Sequence, residues 1–320
     1  MGLMIDGVWQ RESRDRADGQ GAFARPDTVF RDRIEPGGRF PPEAGRYHLY
    51  VSLACPWAHR TLIFRRIKRL ENIVGLSVVH WLMGEDGWTF TPGDGVVADP
   101  VMDARCLHEL YARADARFSG RVTVPVLWDR ATDRIVNNES AEIIRILNAA
   151  FDGIGAAPGD YHPAALRGEI DAVNARVYAT LNNGVYRAGF ARTQSAYEEA
   201  VRPLFETLDW LEERLSRQTY LCGDKLTEAD WRLFTTLIRF DAVYHGHFKC
   251  NLRRIVDYPA LWDFTRSLYQ AESIAATVDF DHIKRHYYMS HPWVNPTGIV
   301  PMGPLLDLTT PGSRVPRLPG

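Results

Sequence analysis

No stretch of the 320 residues approaches the roughly 20 consecutive apolar residues that a spanning helix requires, so membrane insertion is not expected. An excess of charge of one sign is also missing. The chain has 38 Lys and Arg against 40 Asp and Glu, a net charge of -2, and no basic field that would attract nucleic acid. Small molecules are the expected partners. The first thirty residues lack the apolar core of a secretory signal, and they carry Asp6, Glu12, Asp15, Asp18 and Asp27, unlike an acid-poor transit peptide; the expected location is the cytoplasm. Cysteine is scarce. Cys55, Cys106, Cys222 and Cys250 are far apart and form neither a C-x-x-C pair nor a zinc-like spacing, which argues against a disulfide framework and a structural metal. In a reducing compartment, a single thiol at a special place reads as catalytic.

What is present is 45% hydrophobic and 24% charged residues, the composition of an ordinary globular protein, with length enough for two domains. Residues 1–45 are polar and punctuated by Gly and Pro, and are expected to form an extended arm that needs a surface to lie on. From Arg46 the pattern changes. Tyr47-His-Leu-Tyr-Val-Ser alternates like a strand, a helical pattern starts near Pro56 with Ile63, Ile67 and Leu70 on one face, and Ile73–Trp81 holds a second β-branched run. Strand, helix and strand with so short a crossover imply parallel neighbours in one sheet. After a Gly-containing excursion through Trp88 and Pro92, Val122–Asp129 reads as a strand and Ile135-Val136 as its hairpin partner. A helix from about Glu139 then carries Ile143, Leu147 and Phe151 on one face. The order βαβ then ββα predicts a thioredoxin-like domain over 46–155. Beyond about 160 the helical period dominates, with Leu204, Leu208, Leu211 and Leu215 in one stripe and further helices around 163–186, 228–244 and 259–271. Thr227-Glu-Ala-Asp230 resembles a helix-opening cap. The expected fold class is therefore α/β plus all-α: an extended arm, the thioredoxin-like domain, a helical bundle over 156–290 and an irregular tail over 291–320.

Cys55-Pro-Trp-Ala58 stands at the strand-to-helix turn, where unpaired N–H groups and the helix dipole favour a thiolate. Pro56 fits the first helical position, where its missing N–H costs nothing. The competing reading is a buried structural cysteine. Position 58 is Ala where a dithiol oxidoreductase has its second Cys, so a mixed disulfide on Cys55 must be released by an external thiol, for which glutathione is the abundant cytosolic candidate. Pro125 within a strand-like run predicts the cis-proline of a thioredoxin-like domain, with the backbone of Val124 available to a peptide ligand. Glu139-Ser140 at a helix start offers N–H groups and a hydroxyl to a carboxylate, or else simply caps the helix. The basic run Arg60, Arg65, Arg66, Lys68 and Arg69 is read as the wet face of the first helix.

The chain resembles the glutathionyl-hydroquinone reductases, a branch of the glutathione transferase superfamily. The resemblance is carried by Gly21-Ala-Phe-Ala-Arg-Pro-Asp27, Ser52-Leu-Ala-Cys-Pro-Trp-Ala-His-Arg60, Arg121-Val-Thr-Val-Pro-Val-Leu-Trp-Asp129 and Val136-Asn-Asn-Glu-Ser140. Asn182-Asn-Gly-Val-Tyr-Arg187, Tyr244-His-Gly-His-Phe-Lys-Cys-Asn251 and His286-Tyr-Tyr-Met-Ser-His291 extend it through the helical part. It implies a glutathione transferase fold and a reaction in which a glutathionyl-hydroquinone loses its glutathione to Cys55, a second glutathione then releasing glutathione disulfide. It also implies that Trp88, Arg121, Val124, Pro125, Glu139 and Ser140 hold glutathione, and that Tyr186 and either Tyr287 or Tyr288, with Tyr244 as a further candidate, bind the phenolic oxygens. A homodimer is expected, the long arm and tail being available for the contact. Asp99-Pro-Val-Met-Asp-Ala-Arg-Cys106 departs from the family pattern, which puts the detail of that loop in doubt and makes Cys106 a second candidate thiol. His245, His247 and Cys250 are read as packing or substrate-facing residues, because spacing places no fourth metal ligand. Two other functions compete: an omega-like, Cys-type glutathione transferase with thioltransferase or dehydroascorbate reductase activity, and a non-catalytic binding module of the same fold.

Overall fold

The computed structural model describes residues 2–11, 21–23 and 27–314, and divides the chain into two units. Of the arm motif Gly21–Asp27, residues 24–26 lie outside the described residues, as do 315–320 of the tail. Among the described residues, no helix is long and apolar enough to cross a membrane.

The first unit collects the N-terminal residues, 27–158 and the short stretch Asp281–His286. It opens with a hairpin that the expectation of an irregular arm overlooked: β1 (Leu3–Ile5) and β2 (Val8–Gln10) pair antiparallel around Asp6-Gly7, both at positive φ. The main sheet contains β3 (Tyr47–Val51), which α1 (Pro56–Ile67) connects to β4 (Val74–Val78). After the excursion come α2 (Leu107–Ala114), β5 (Val126–Asp129), β6 (Arg134–Asn137) and α3 (Ser140–Ala149). The strand order is β4-β3-β5-β6, with β4 parallel and β5 antiparallel to β3. All five residues of β3 are buried, as a central strand covered on both faces requires. The strand expected over Val122–Asp129 begins only at Val126. The arm finds its surface at the sheet edge. Asp32 N–H donates to Val136 O at 2.9 Å and Asn138 N–H to Phe30 O at 3.1 Å, so the arm occupies the polar edge that β6 would otherwise expose.

The second unit is helical. In chain order it holds α4 (Arg167–Val177), α5 (Gly184–Gly189), α6 (Gln194–Arg217), α7 (Glu228–Arg239) and α8 (Pro259–Tyr269). The last helix, α9 (Phe280–Ser290), is divided: residues 281–286 belong to the first unit and 287–290 to the second. Helix α6 packs on α5 and α8, and every residue of α7 is buried. The expected helix over 163–186 is interrupted, because Tyr178–Asn182 forms a π-helical turn closed by Asn183 N–H on Tyr178 O at 3.0 Å. A second π turn, Phe240–Tyr244, is closed by His245 N–H on Phe240 O at 2.8 Å. Each turn takes in an extra residue and so rotates the side chains at and beyond its end, Tyr186 in one case and Tyr244 in the other.

Candidate active site

In the first unit the turn after β3 sets Cys55 at the cap position of α1 in extended conformation, with Pro56 opening the helix. Its thiol is half-buried and donates to the carbonyl oxygen of Val124 at 3.8 Å, and the Val124–Pro125 peptide is cis. Ala58, one turn on, is fully buried and supplies no second sulfur. Chain termini of two elements thus converge at one place: the start of α1 and the turn entering β5.

Glu139 and Ser140 stand at the start of α3. The Glu139 carboxylate caps the helix, accepting from Ala141 N–H at 3.1 Å, and Thr28 of the arm donates to its other oxygen at 3.4 Å. Ser140 accepts from Arg60 at 3.4 Å. Arg121 is different: its Nη1 is buried without a hydrogen-bond partner among the described residues, and burial alone lowers its pKa. Trp88 is buried with its ring stacked on His286, centroids 4.8 Å apart and planes at 23°.

In the second unit the hydroxyls of Tyr186, Tyr287 and Tyr244 form a chain, Tyr186 to Tyr287 at 2.5 Å and Tyr244 to Tyr287 at 3.1 Å. Phe248 packs on all three rings. That ring lies where a Cβ at position 189 would meet it at 2.2 Å, so Gly189 is required for the cluster to close. Burial, followed by the neighbouring phenols, raises the Tyr287 pKa well above that of an ordinary tyrosine, so it remains a hydrogen-bond donor. Between Tyr287 and Tyr288, which the sequence left open, Tyr287 joins the hydroxyl chain, whereas the Tyr288 ring packs on His247 at 4.8 Å.

Comparison with known proteins fits this arrangement. The glutathione S-transferase N-terminal domain family matches residues 54–150, and the C-terminal domain family matches residues 194–267. Glutathionyl-hydroquinone reductase PcpF from Sphingobium chlorophenolicum is 59% identical over 308 residues, 96% of this chain and 98% of the relative. The chain belongs to the glutathionyl-hydroquinone reductase family, the Xi class of glutathione transferases. Another member, YqjG from Escherichia coli, is 53% identical over 98% of both chains, and its glutathione-bound structure superposes with a TM-score of 0.88 over 98% of this chain and 99% of that one. The Xi-class transferase from Natrialba magadii, at 48% identity, reaches a TM-score of 0.92 over 98% of this chain and 96% of its own.

Within this Xi-class chain several residues take places the sequence did not indicate. The basic run in and just after α1 is a wet face only in part: Arg69 is exposed and Arg66 half-exposed. Arg60 and Lys68 are buried, Arg60 over the ring of Trp57 at 4.6 Å and Lys68 on Asp152 at 2.8 Å, while Arg65 holds the carbonyls of Val74 and Glu71. Asp99, in the divergent loop, is a hub that accepts from Tyr50 Oη at 2.8 Å and from the backbone of Val101, Met102 and Ala104. Cys106 caps α2, and burial, with Glu109 and Asp86, pushes its thiol pKa up, which makes it a poor second nucleophile. His247 faces His291, Nε2 to Nδ1 at 3.2 Å, and buried Cys250 donates to Phe248 O. The metal-ligand types that do meet among the described residues are His162, Asp171 and Glu228, with atoms within 4.8 Å of one another. There the Glu228 carboxylate accepts from Asn174 at 3.0 Å and pairs with Arg232 at 3.5 Å.

Proposed function

We propose that the protein reduces glutathionyl-hydroquinones to hydroquinones with glutathione as co-substrate, Cys55 being the nucleophile. The observation that carries this reading is the half-buried Cys55 thiol at the start of α1, in contact with Val124 O beside Pro125. The thiolate attacks the glutathionyl sulfur. The sulfur–aryl bond breaks, its electron pair goes to the ring carbon, which takes up a proton, and a Cys55–glutathione disulfide forms. A second glutathione thiolate attacks that disulfide, giving glutathione disulfide and restoring Cys55.

In this reading Arg121 pairs with a glutathione carboxylate, which gives its buried Nη1 an acceptor. Val124 offers its backbone, Glu139 meets the γ-glutamyl ammonium, Ser140 takes the neighbouring carboxylate, and Trp88 closes the tripeptide station. Tyr186, Tyr287 and Tyr244 serve the phenolic oxygens, since a phenol both donates and accepts and so extends a chain of hydroxyls. That trio favours the hydroquinone reading over thioltransferase or dehydroascorbate chemistry, which needs no array of phenol partners.

The test compares a glutathionyl-hydroquinone with a small glutathione mixed disulfide. Cys55→Ala is expected to lower turnover of both by about a thousandfold or more with an unchanged circular dichroism spectrum. Tyr186→Phe is expected to lose roughly tenfold on the aryl substrate, about one hydrogen bond's worth, and little on the disulfide. Near-normal turnover by Cys55→Ala would remove the mechanism, and equal losses for Tyr186→Phe on both substrates would remove Tyr186 from the aryl site.

A further inference from the structure

Residues 79–106 run from β4 to α2 without a helix or strand, and Trp88 lies within them. So long an excursion inside a compact unit needs anchors. Some are local: Val78 and Val97 exchange backbone hydrogen bonds at 3.0 Å, His80 N–H donates to Thr89 O at 2.8 Å, and Leu107 N–H to Trp88 O at 2.9 Å. Others come from the β1–β2 hairpin, where Trp9 Nε1–H donates to Glu85 O at 3.0 Å, and from the far end of the chain. His286 Nδ1 lies 2.9 Å from Trp81 O, and His282 Nε2 lies 2.6 Å from Asp94 O. A carbonyl only accepts, so Nδ1 carries the proton in His286 and Nε2 carries it in His282. Arg285 stands over the Trp81 ring at 5.3 Å, and the His286 ring lies flat on Trp88. Positions 282, 285 and 286 are spaced i, i+3 and i+4, one face of the helix, and all belong to the first unit. The fit is close: a Cβ at position 95 would come within 2.5 Å of His282 Nε2, and that residue is Gly at φ +72°.

We propose that His286 is a positioning residue for glutathione: it fixes the plane of Trp88 by stacking while its Nδ1–H fixes the backbone at Trp81, with His282 holding Asp94 and Arg285 covering the Trp81 ring. The proposal rests on the reading of Trp88 as part of the glutathione station. It assigns to the first half of α9 a share in binding the co-substrate.

Three readouts on the full-length protein separate the possibilities: the dissociation constant of glutathione by calorimetry, hydrogen exchange of residues 79–97, and the rate of Cys55 alkylation without glutathione. His286→Leu is expected to weaken glutathione about tenfold and to speed exchange in 79–97. Alkylation should stay within about twofold, because the start of α1 is untouched. His286→Phe keeps the ring and His286→Asn keeps a donor, and each should recover part of the loss. Unchanged exchange in 79–97 would overturn the clamp. Accelerated exchange with unchanged affinity would overturn its part in binding, provided that Trp88→Leu does weaken glutathione. Should Trp88→Leu bind as the wild type does, the assignment of Trp88 fails first and this proposal with it. If His286→Leu does not fold, His286→Asn, which fills less space and keeps the hydrogen bond, is compared with His286→Phe on the same three readouts.

Discussion

His48, in the middle of β3 and 2% exposed, donates from Nε2 to Ser77 Oγ at 2.8 Å, because the serine's own proton goes to Ala98 O at 2.9 Å. The paired residue on β4 is Gly75, where a Cβ would come within 2.4 Å of His48 Nδ1, so no larger side chain fits beside the imidazole. Burial, opposed by Asp99 and aided by Arg130 and Arg65, lowers the His48 pKa from 6.5 to about 4. The unfolded chain therefore binds this proton first as pH falls. The stabilisation is whole above pH 6.5 and is lost progressively down to about pH 4, by at most about 3 kcal/mol. Urea denaturation of wild type and His48→Asn across that range checks it: wild type should lose more stability than the variant, and parallel pH profiles would show that His48 does not titrate in this way. At this scale Cys55, Ala58 and Pro125 were legible, since a thiol before proline, a missing second thiol and a proline in a strand each have few physical uses. Arg60 and Lys68 were not. A charged residue in a helical pattern defaults to solvent, and only the ring of Trp57 or the carboxylate of Asp152 reveals otherwise.

Caps decided which elements could be read from sequence. Thr227 and Asp230 form the expected reciprocal cap of α7, and the Asp230 carboxylate receives three hydrogen bonds: Thr227 N–H at 2.8 Å, Thr227 Oγ at 2.9 Å and Leu221 N–H at 2.8 Å. Burial pushes its pKa up to about 6 while these donors pull it down. Asp230→Asn keeps one acceptor and turns an NH2 group toward buried donors, and it is expected to destabilise the protein by about 3 kcal/mol in urea denaturation at pH 7. A loss below about 1 kcal/mol would mean the donors find other partners. Helix α2 has the same device, with Cys106 N–H on Glu109 at 2.9 Å, but cysteine is not among the residues that announce a cap, and the helix passed unread. The Asp6-Gly7 hairpin turn did carry its signal, hidden because its strands are only three residues long. The two π turns had none. Asn182, inside the first of them, donates from Nδ2 to Thr236 Oγ1 of α7 at 2.8 Å, a partner that no local periodicity records.

For the whole molecule, the order of strands and helices was legible because buried runs, turns and one long leucine stripe each follow their own period. Which helix serves which unit was not, because the pattern of residues 280–290 shows one buried face without naming what it meets. The C-terminal tail raises a further question of assembly. Its far part is fixed, Gln270 donating to Leu308 O and Thr310 O at 2.8 Å and Asp263 accepting from Ser313, yet Ile299, Met302 and Leu305 stand exposed, the last two almost completely. Exposed apolar side chains are what a contact between two copies would use, and a homodimer is the expected state. Light scattering on the purified protein should give twice the chain mass, and the double substitution Met302→Asp, Leu305→Asp should shift it toward one. A wild-type mass of a single chain at micromolar concentration would sink the idea.

The anchoring of Trp81 by His286 spans 205 residues. A ribosome working at about 5–20 residues per second needs roughly 10–40 s to cover that distance. Throughout that interval the nascent chain already displays Cys55 and its sheet strands, yet the segment bearing Trp88 has nothing from α9 to settle against. A product terminated before residue 281 would leave translation with its thiol made but Trp88 without its stacking partner.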